Sequence, residues 1–262
     1  MKIQLALDRM SIEEAEDMVR RTEPYIDWIE VGTSLIKEFG MASVEALKRE
    51  FPHKIIVADM KTFDNAKYEF ELCFKAGADV ATVMGAAPPV TVGLCAETAL
   101  RMEKQVMIDL LHTSPEQQRE LALYPGAIHC LHVSKDQQEG GGLRLGGAGG
   151  ADAGHRSDPG AQGAAGGQSG GFTEAHEAAG GRDGGGEGAS GGPGAEGAEG
   201  LRLAAAGGIT LESLPGLLSL KPEVIIVGSA ITKASDPAQA AREFKERIRE
   251  YSGESRQGSS SS

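Results

Sequence analysis

Two rhythms alternate along this chain. Short apolar runs rich in β-branched residues read as strands buried on both faces; between them apolar residues fall three and four positions apart, as on one face of a helix. Residues 2–8 form the first such strand. Ser11 caps the helix after it and Glu14 completes a capping box, so a helix is predicted to about residue 23. Strand two covers 28–33 and helix two 42–50. Strand three, 54–61, follows the turn signal Pro52-His53, and its helix spans 66–76 with Gly77 as C-cap. Strands four, five and six cover 80–85, 105–111 and 127–133. They are separated by a helix near 90–103 and by one that starts from Ser114, with Pro115 at its first position.

After strand six the rhythm stops. Residues 139–200 consist mainly of Gly, Ala, Glu, Asp and Ser, hold most of the 37 glycines, and support neither a helical face nor strand alternation. Such a segment cannot bury enough surface to offset the entropy of ordering, and is predicted to be disordered. His155 and His176 within it have no scaffold and read neither as catalytic groups nor as a metal pair. The rhythm resumes with strand seven at 201–208, a short helix at 211–220 and strand eight at 224–228. An amphipathic last helix covers 236–251, with Asp236 as cap and Pro237 in its first turn. Residues 253–262 are predicted as a disordered tail. Eight strands alternating with seven helices predict an α/β fold, a (β/α)8 TIM barrel. It forms one domain over 1–252, interrupted at 139–200 where a Gly-rich segment replaces the helix after strand six. A doubly wound open sheet is the rival; regular spacing and polar residues at strand ends favour the barrel.

Composition narrows the partners. A chain of 262 residues, 40% of them hydrophobic, suffices for one large domain. A net charge of -12 argues against nucleic acid or an anionic membrane as partner. No apolar run is long enough to span a bilayer, and Met1-Lys2-Ile3-Gln4 does not open a signal peptide. Cys73, Cys95 and Cys130 have neither metal-binding nor disulfide spacing, which implies a reducing cytoplasm.

The chemistry concentrates at strand ends. Asp59-Met60-Lys61-Thr62-Phe63-Asp64 closes strand three. Alternation turns Asp59 and Lys61 to the same side, and Asp64 follows in the loop, so two carboxylates are expected to flank one ammonium and keep it protonated. Such a cation can stabilise an anion formed in a reaction; a buried salt bridge is the structural alternative. The other strand ends add Asp8, Glu30, Asp109 and His132. Barrel chemistry sits at these ends, and so many unpaired inward charges are too costly to be packing alone. A hard divalent cation on Glu30 and Asp59 would relieve their repulsion, and oxygen ligands with retained water suit Mg²⁺. His132, sharing strand parity with Cys130, is a candidate proton-transfer group; His129 should face the helices, and His112 stays ambiguous. Glycine turns end strands seven and eight, at Gly207-Gly208 and Gly228-Ser229. They predict backbone amides cradling a phosphate, hence a small phosphorylated substrate.

The stretches Leu5-Ala6-Leu7-Asp8, Ile29-Glu30-Val31-Gly32-Thr33, Ala58-Asp59-Met60-Lys61-Thr62-Phe63-Asp64, Ala206-Gly207-Gly208 and Val227-Gly228 resemble the orotidine 5′-monophosphate decarboxylase superfamily. Within it they are most similar to the branch of 3-hexulose-6-phosphate synthase and 3-keto-L-gulonate-6-phosphate decarboxylase. The resemblance covers 1 to about 138 and 201 to about 251. It implies an aldehyde-lyase that condenses D-ribulose 5-phosphate with formaldehyde to 3-hexulose 6-phosphate through a Mg²⁺-stabilised enediolate, as in formaldehyde assimilation. It implies Mg²⁺ on Glu30 and Asp59, catalytic roles for Asp59, Lys61, Asp64, Asp109 and His132, and a homodimer in which Asp64 reaches the partner's site. Asp8, Gly207, Gly208, Gly228 and Ser229 would then meet the substrate. The decarboxylase pattern has Glu at the position of Asp109, Arg at Lys135, Thr at Ala206 and Arg at Ser229. This chain sides with the synthase at Asp109, Ala206, Ser229 and Thr62, while Lys135 leans towards the decarboxylase in charge. Residues 139–200 depart from the family, which joins these strands by a shorter segment with an amphipathic helix. A stretch translated in the wrong frame would have this composition, so a non-catalytic or unstable barrel is the alternative of another class.

Overall fold

In the computed structural model, which describes residues 1–133 and 200–258 (backbone alone for 253–258), eight parallel strands close into a barrel in chain order. They are β1 Lys2–Leu7, β2 Trp28–Val31, β3 Ile55–Thr62, β4 Val80–Met84, β5 Gln105–Asp109, β6 Ile128–His132, β7 Arg202–Ala206 and β8 Val224–Val227. β8 pairs with β1, Ile3 opposite Ile225 and Leu5 opposite Val227, so no strand edge is left open and the open-sheet alternative falls away. Residues 139–199 of the expected segment, with His155 and His176, and Lys135 before it, lie outside the described residues.

Strand alternation divides the apolar residues between two cores. Trp28, Val57, Val80, Met107, Ile128, Ala204 and Val224 fill the inside of the ring. Leu5, Leu7, Ile29, Val31, Ile56 and Ile108 face outward onto the helices. Polar residues on the inward parity therefore stack towards the C-terminal mouth of the barrel.

The helices are α1 Ile12–Thr22, α2 Thr33–Phe39, α3 Met41–Glu50, α4 Ala66–Lys75, α5 Pro89–Arg101, α6 Pro115–Leu121, α7 Leu214–Leu218, α8 Ser229–Thr232 and α9 Pro237–Gly258. The expected capping box of Ser11 with Glu14 forms, and the structure adds a second one, Ser114 with Gln117. Gly77 takes a φ of 103°, the left-handed conformation that ends α4. Two short helices, α2 and α8, were not anticipated; each begins immediately after a strand-ending glycine, where a periodic pattern has no room to show itself. α9 continues over 253–258, where a disordered tail was expected. Its buried Ala241, Phe244 and Ile248 anchor the helix, and an anchored helix adds turns without a new nucleation cost. Among the described residues no helix is long and apolar enough to cross a membrane, and Cys73, Cys95 and Cys130 are free and buried.

At the N-terminal end of the barrel, Asp79 ties three elements together. It accepts from Lys48 Nζ on α3 (2.8 Å), from Lys104 Nζ ahead of β5 (2.9 Å) and from the Ile56 N–H of β3 (3.0 Å). Burial alone would push its carboxyl up, but these donors outweigh it and hold the group below the usual range. Replacing Asp79→Ala strands two half-buried lysines, and is expected to lower the free energy of unfolding by about 2 kcal/mol. Urea titration at neutral pH measures this; an unchanged midpoint would mean that the network is idle.

Candidate active site

The strand ends open into one cavity of about 1410 Å³, lined by Asp8, Glu30, Asp59, Lys61, Asp109 and His132, and by Gly207, Gly208, Gly228 and Ser229. Every strand-end residue expected from the sequence is thus in one place. Asp64 is not. It is exposed, outside the lining, and its Oδ1 accepts the N–H of Asn65 at 2.7 Å. The expectation that Asp59 and Asp64 flank the lysine is therefore corrected: the second carboxylate is Asp109, brought from β5 by barrel closure. Lys61 Nζ lies 3.1 Å from Asp59 Oδ1 and 2.8 Å from Asp109 Oδ2.

Lys61 reaches this position by an unexpected backbone path. β3 advances from Ala58 to Thr62 while β4 advances only from Ala81 to Val83, so the register shifts between them. Within the shift Lys61 has a φ of 51°, a left-handed conformation costing an L-residue about 1–2 kcal/mol. Its neighbours still alternate: Met60 packs on the outer core, and the Thr62 hydroxyl donates to Glu69 Oε2 on α4 at 2.6 Å. The Lys61 N–H, out of the ladder, donates to Thr82 Oγ1 at 2.8 Å.

Charge in the cavity is shared out by these contacts. Burial works against the Lys61 ammonium, but Asp59 and Asp109 outweigh it and raise the lysine above its ordinary range. Burial likewise opposes ionisation of Asp109, yet His132 and Lys61 bring its carboxyl down to about 2. An ionised carboxylate only accepts, so in the 2.8 Å contact between Asp109 Oδ2 and His132 Nδ1 the ring donates. In the neutral ring Nε2 is then the proton acceptor. The Leu111 N–H holds the other oxygen, Asp109 Oδ1, at 2.9 Å.

Asp59 accepts from the Thr33 hydroxyl at Oδ2 (2.6 Å) and from the Thr82 hydroxyl at Oδ1 (3.0 Å). Glu30 behaves differently. Burial, and then the Asp59 charge, push its carboxyl up to about 8, against a hydrogen bond donated by Gln4 Nε2 to its Oε2. Gln4 is fully buried, and its Oε1 has no hydrogen-bond partner. A pair of repelling carboxylates with oxygen donors only is the chemistry a hard divalent cation satisfies, with water and substrate completing its shell. Among the described residues no group of three or more His, Cys, Asp or Glu side chains could hold such an ion unaided.

The cavity wall at the end of β7 depends on glycine. Gly207 has a φ of 100°, and a Cβ there would lie 2.3 Å from the Val133 carbonyl oxygen. At the end of β1, Asp8 Oδ1 accepts from the N–H (3.2 Å) and the hydroxyl (2.8 Å) of Ser34. At Gly32 a Cβ would lie 2.4 Å from that same Asp8 oxygen. His129 is buried on the helical side, 3.1 Å from the Tyr124 carbonyl, and His112 is exposed; neither lines the cavity. Gln4, Thr33, Ser34 and Thr82 were missed in the sequence. Inward parity on β1 and β4 was a usable signal for Gln4 and Thr82; nothing local marked the other two.

An eight-stranded barrel that gathers carboxylates, a lysine and a histidine at its strand ends is the arrangement of an enzyme. Residues 1–244 match the model of the Orotidine 5'-phosphate decarboxylase / HUMPS family, and the chain belongs to that family as a synthase-like lyase. It is 30% identical over 250 residues to 3-hexulose-6-phosphate synthase of Mycobacterium gastri, covering 95% of this chain and 100% of that one. The synthase of Bacillus subtilis is 28% identical, covering 95% and 99%. A solved 3-hexulose-6-phosphate synthase from Salmonella typhimurium superposes with a TM-score of 0.71 at 28% identity, covering 96% and 100%. KGPDC from Streptococcus mutans, solved in complex with a phosphorylated sugar, shares the fold with a TM-score of 0.70 at 22% identity, covering 95% and 98%.

Because the folded Asp109 carboxyl lies below its unfolded value of about 3.9, its ionisation contributes stability that is present above that value and lost as pH falls towards about 2. A depression of this size corresponds to about 2–3 kcal/mol. Asp109→Asn is expected to lose that amount at pH 7, with the gap to wild type closing between about pH 4 and 2. Urea unfolding across that range checks both the size and the sign.

Proposed function

We propose that this enzyme condenses D-ribulose 5-phosphate with formaldehyde to give 3-hexulose 6-phosphate. The observation that carries the reading is Asp109. One carboxylate reaches both the ammonium of Lys61 and the imidazole of His132, each at 2.8 Å, from the position where Asp rather than Glu marks the synthase pattern. Ala206 and Ser229, which line the same cavity, agree with it.

The backbone of Gly207, Gly208, Gly228 and Ser229 binds the phosphate and sets the sugar's carbonyl end over the lysine. His132 Nε2 takes a proton from C1, while Asp109 keeps the ring in the tautomer able to do so. The electron pair left on C1 is delocalised onto the C2 oxygen as an enediolate, and the Lys61 ammonium, fixed beforehand by Asp59 and Asp109, stabilises that negative oxygen. C1 then forms a bond to the carbon of formaldehyde, whose π pair moves to its oxygen and is protonated there, and the C2 carbonyl is restored. Glu30 and Asp59 would hold Mg²⁺, which supplies Lewis-acid neutralisation of sugar oxygens when bound. Asp8 faces the same space and orients sugar hydroxyls.

The purified protein is expected to turn over ribulose 5-phosphate with formaldehyde and Mg²⁺, and Lys61→Ala to lower kcat by at least about 10³-fold. Turnover of 3-keto-L-gulonate 6-phosphate alone, in a parallel assay, would replace this reading with the decarboxylase.

The same proposal includes a homodimer with shared sites. Asp64 lies outside its own chain's cavity, between the exposed side chain of Phe63 and that of Tyr68 nearby on α4, which suits a role in a second copy. Lys61→Ala and Asp64→Ala should each be inactive alone. Once mixed and allowed to exchange subunits, they should recover about a quarter of wild-type activity, because half of the dimers then carry one intact site. No recovery, with exchange verified, would place Asp64 outside the chemistry.

A further inference from the structure

We infer that Thr82 is the positioning residue that fixes Lys61 in its reactive place. The register shift between β3 and β4 takes the Lys61 N–H out of the strand ladder just where the backbone turns left-handed. A buried N–H without an acceptor is costly, so this conformation needs a substitute for the missing ladder bond. Thr82 supplies it from β4: its Oγ1 accepts that N–H at 2.8 Å and in turn donates to Asp59 Oδ1 at 3.0 Å. The directions are fixed by chemistry, since an amide nitrogen only donates, so the hydroxyl accepts there and has its own proton to give to Asp59. The same Asp59 oxygen also receives the Lys61 ammonium at 3.1 Å. Thr82 thus closes a ring in which the two ends of one lysine, its backbone N–H and its Nζ, are referred to a single carboxylate oxygen. The hydroxyl has one proton and both of its roles are taken, and its side chain, 3% exposed, has no alternative partner in water. Thr82 itself moves no proton to or from the substrate; it acts by holding the two groups that meet it.

Val has the shape of Thr without the hydroxyl, and Ser has the hydroxyl without the methyl. Thr82→Val is therefore expected to lower kcat by about 10–100-fold, with KM for ribulose 5-phosphate changing by less than about threefold. Thr82→Ser should recover most of the lost rate. Crystal structures of the two variants give a readout independent of activity. With Val, Lys61 should leave the left-handed region and its Nζ should move off Asp109; with Ser, both should stay. The kinetic arm rests on the proposed reaction and the structural arm does not. If wild type turns over neither sugar phosphate, the proposed reaction fails while the crystal structures still decide the role of Thr82. Three outcomes would overturn the inference: Lys61 unmoved in Thr82→Val, Ser no better than Val in rate, or a Thr82→Val chain that no longer unfolds cooperatively. The last would make the hydroxyl a requirement of the fold.

Discussion

One ammonium shared between two buried carboxylates organises the mouth of the barrel. Asp109 stays ionised there against its burial because His132 and Lys61 lie beside it, and donors surround both carboxylates. Thr33 and Thr82 turn their hydroxyl protons onto Asp59, Leu111 turns its N–H onto Asp109, and His132 takes the tautomer that donates to Asp109. Glu30 demonstrates the contrast. Its own hydrogen bond comes from a neutral amide, and its carboxyl is pushed up where that of Asp109 is pulled down. The cavity therefore holds one satisfied anionic pair and one carboxylate with an unmet demand for positive charge.

Much of this was legible in the sequence, for a physical reason. A strand buried on both faces has to be apolar, so any charged residue near its end, on the inward parity, stands out against the run that carries it. Asp8, Glu30, Asp59, Lys61, Asp109 and His132 were all visible in this way, and closure of the ring brought them together. What stayed hidden needs distances across the ring or backbone angles. Asp64 is near Lys61 in sequence and Asp109 is far, yet Asp109 is the partner, because β4 pairs with both β3 and β5 and brings their ends to its two sides. The left-handed Lys61 leaves no trace in composition, since glycine rather than lysine is the usual occupant of that conformation. The hydroxyl of Thr82 is silent for another reason: threonine is an ordinary strand residue, and only its hydrogen-bond partners reveal what it does.

The charged networks are also separated by the length of the barrel. Asp79, with its two lysines and a strand N–H, secures the end where β4 begins, and Asp59, Lys61 and Asp109 occupy the end where β3 and β5 finish. Between them lies an apolar plug of Val57, Val80, Met107, Ile128 and Val224. It keeps water from connecting the two ends, so each network solves its own charge balance locally.

Trp28 belongs to that plug, and it is the only tryptophan in the chain. At 6% exposure its indole sits within the ring of strands, on the strand that carries Glu30 two residues on, while all other aromatic rings are Phe or Tyr. Fluorescence excited selectively in this one ring therefore originates from the barrel interior and from nowhere else. The protein carries a built-in optical reporter inside its own ring of strands, one whose colour follows the wetting of the ring's interior and needs no added label.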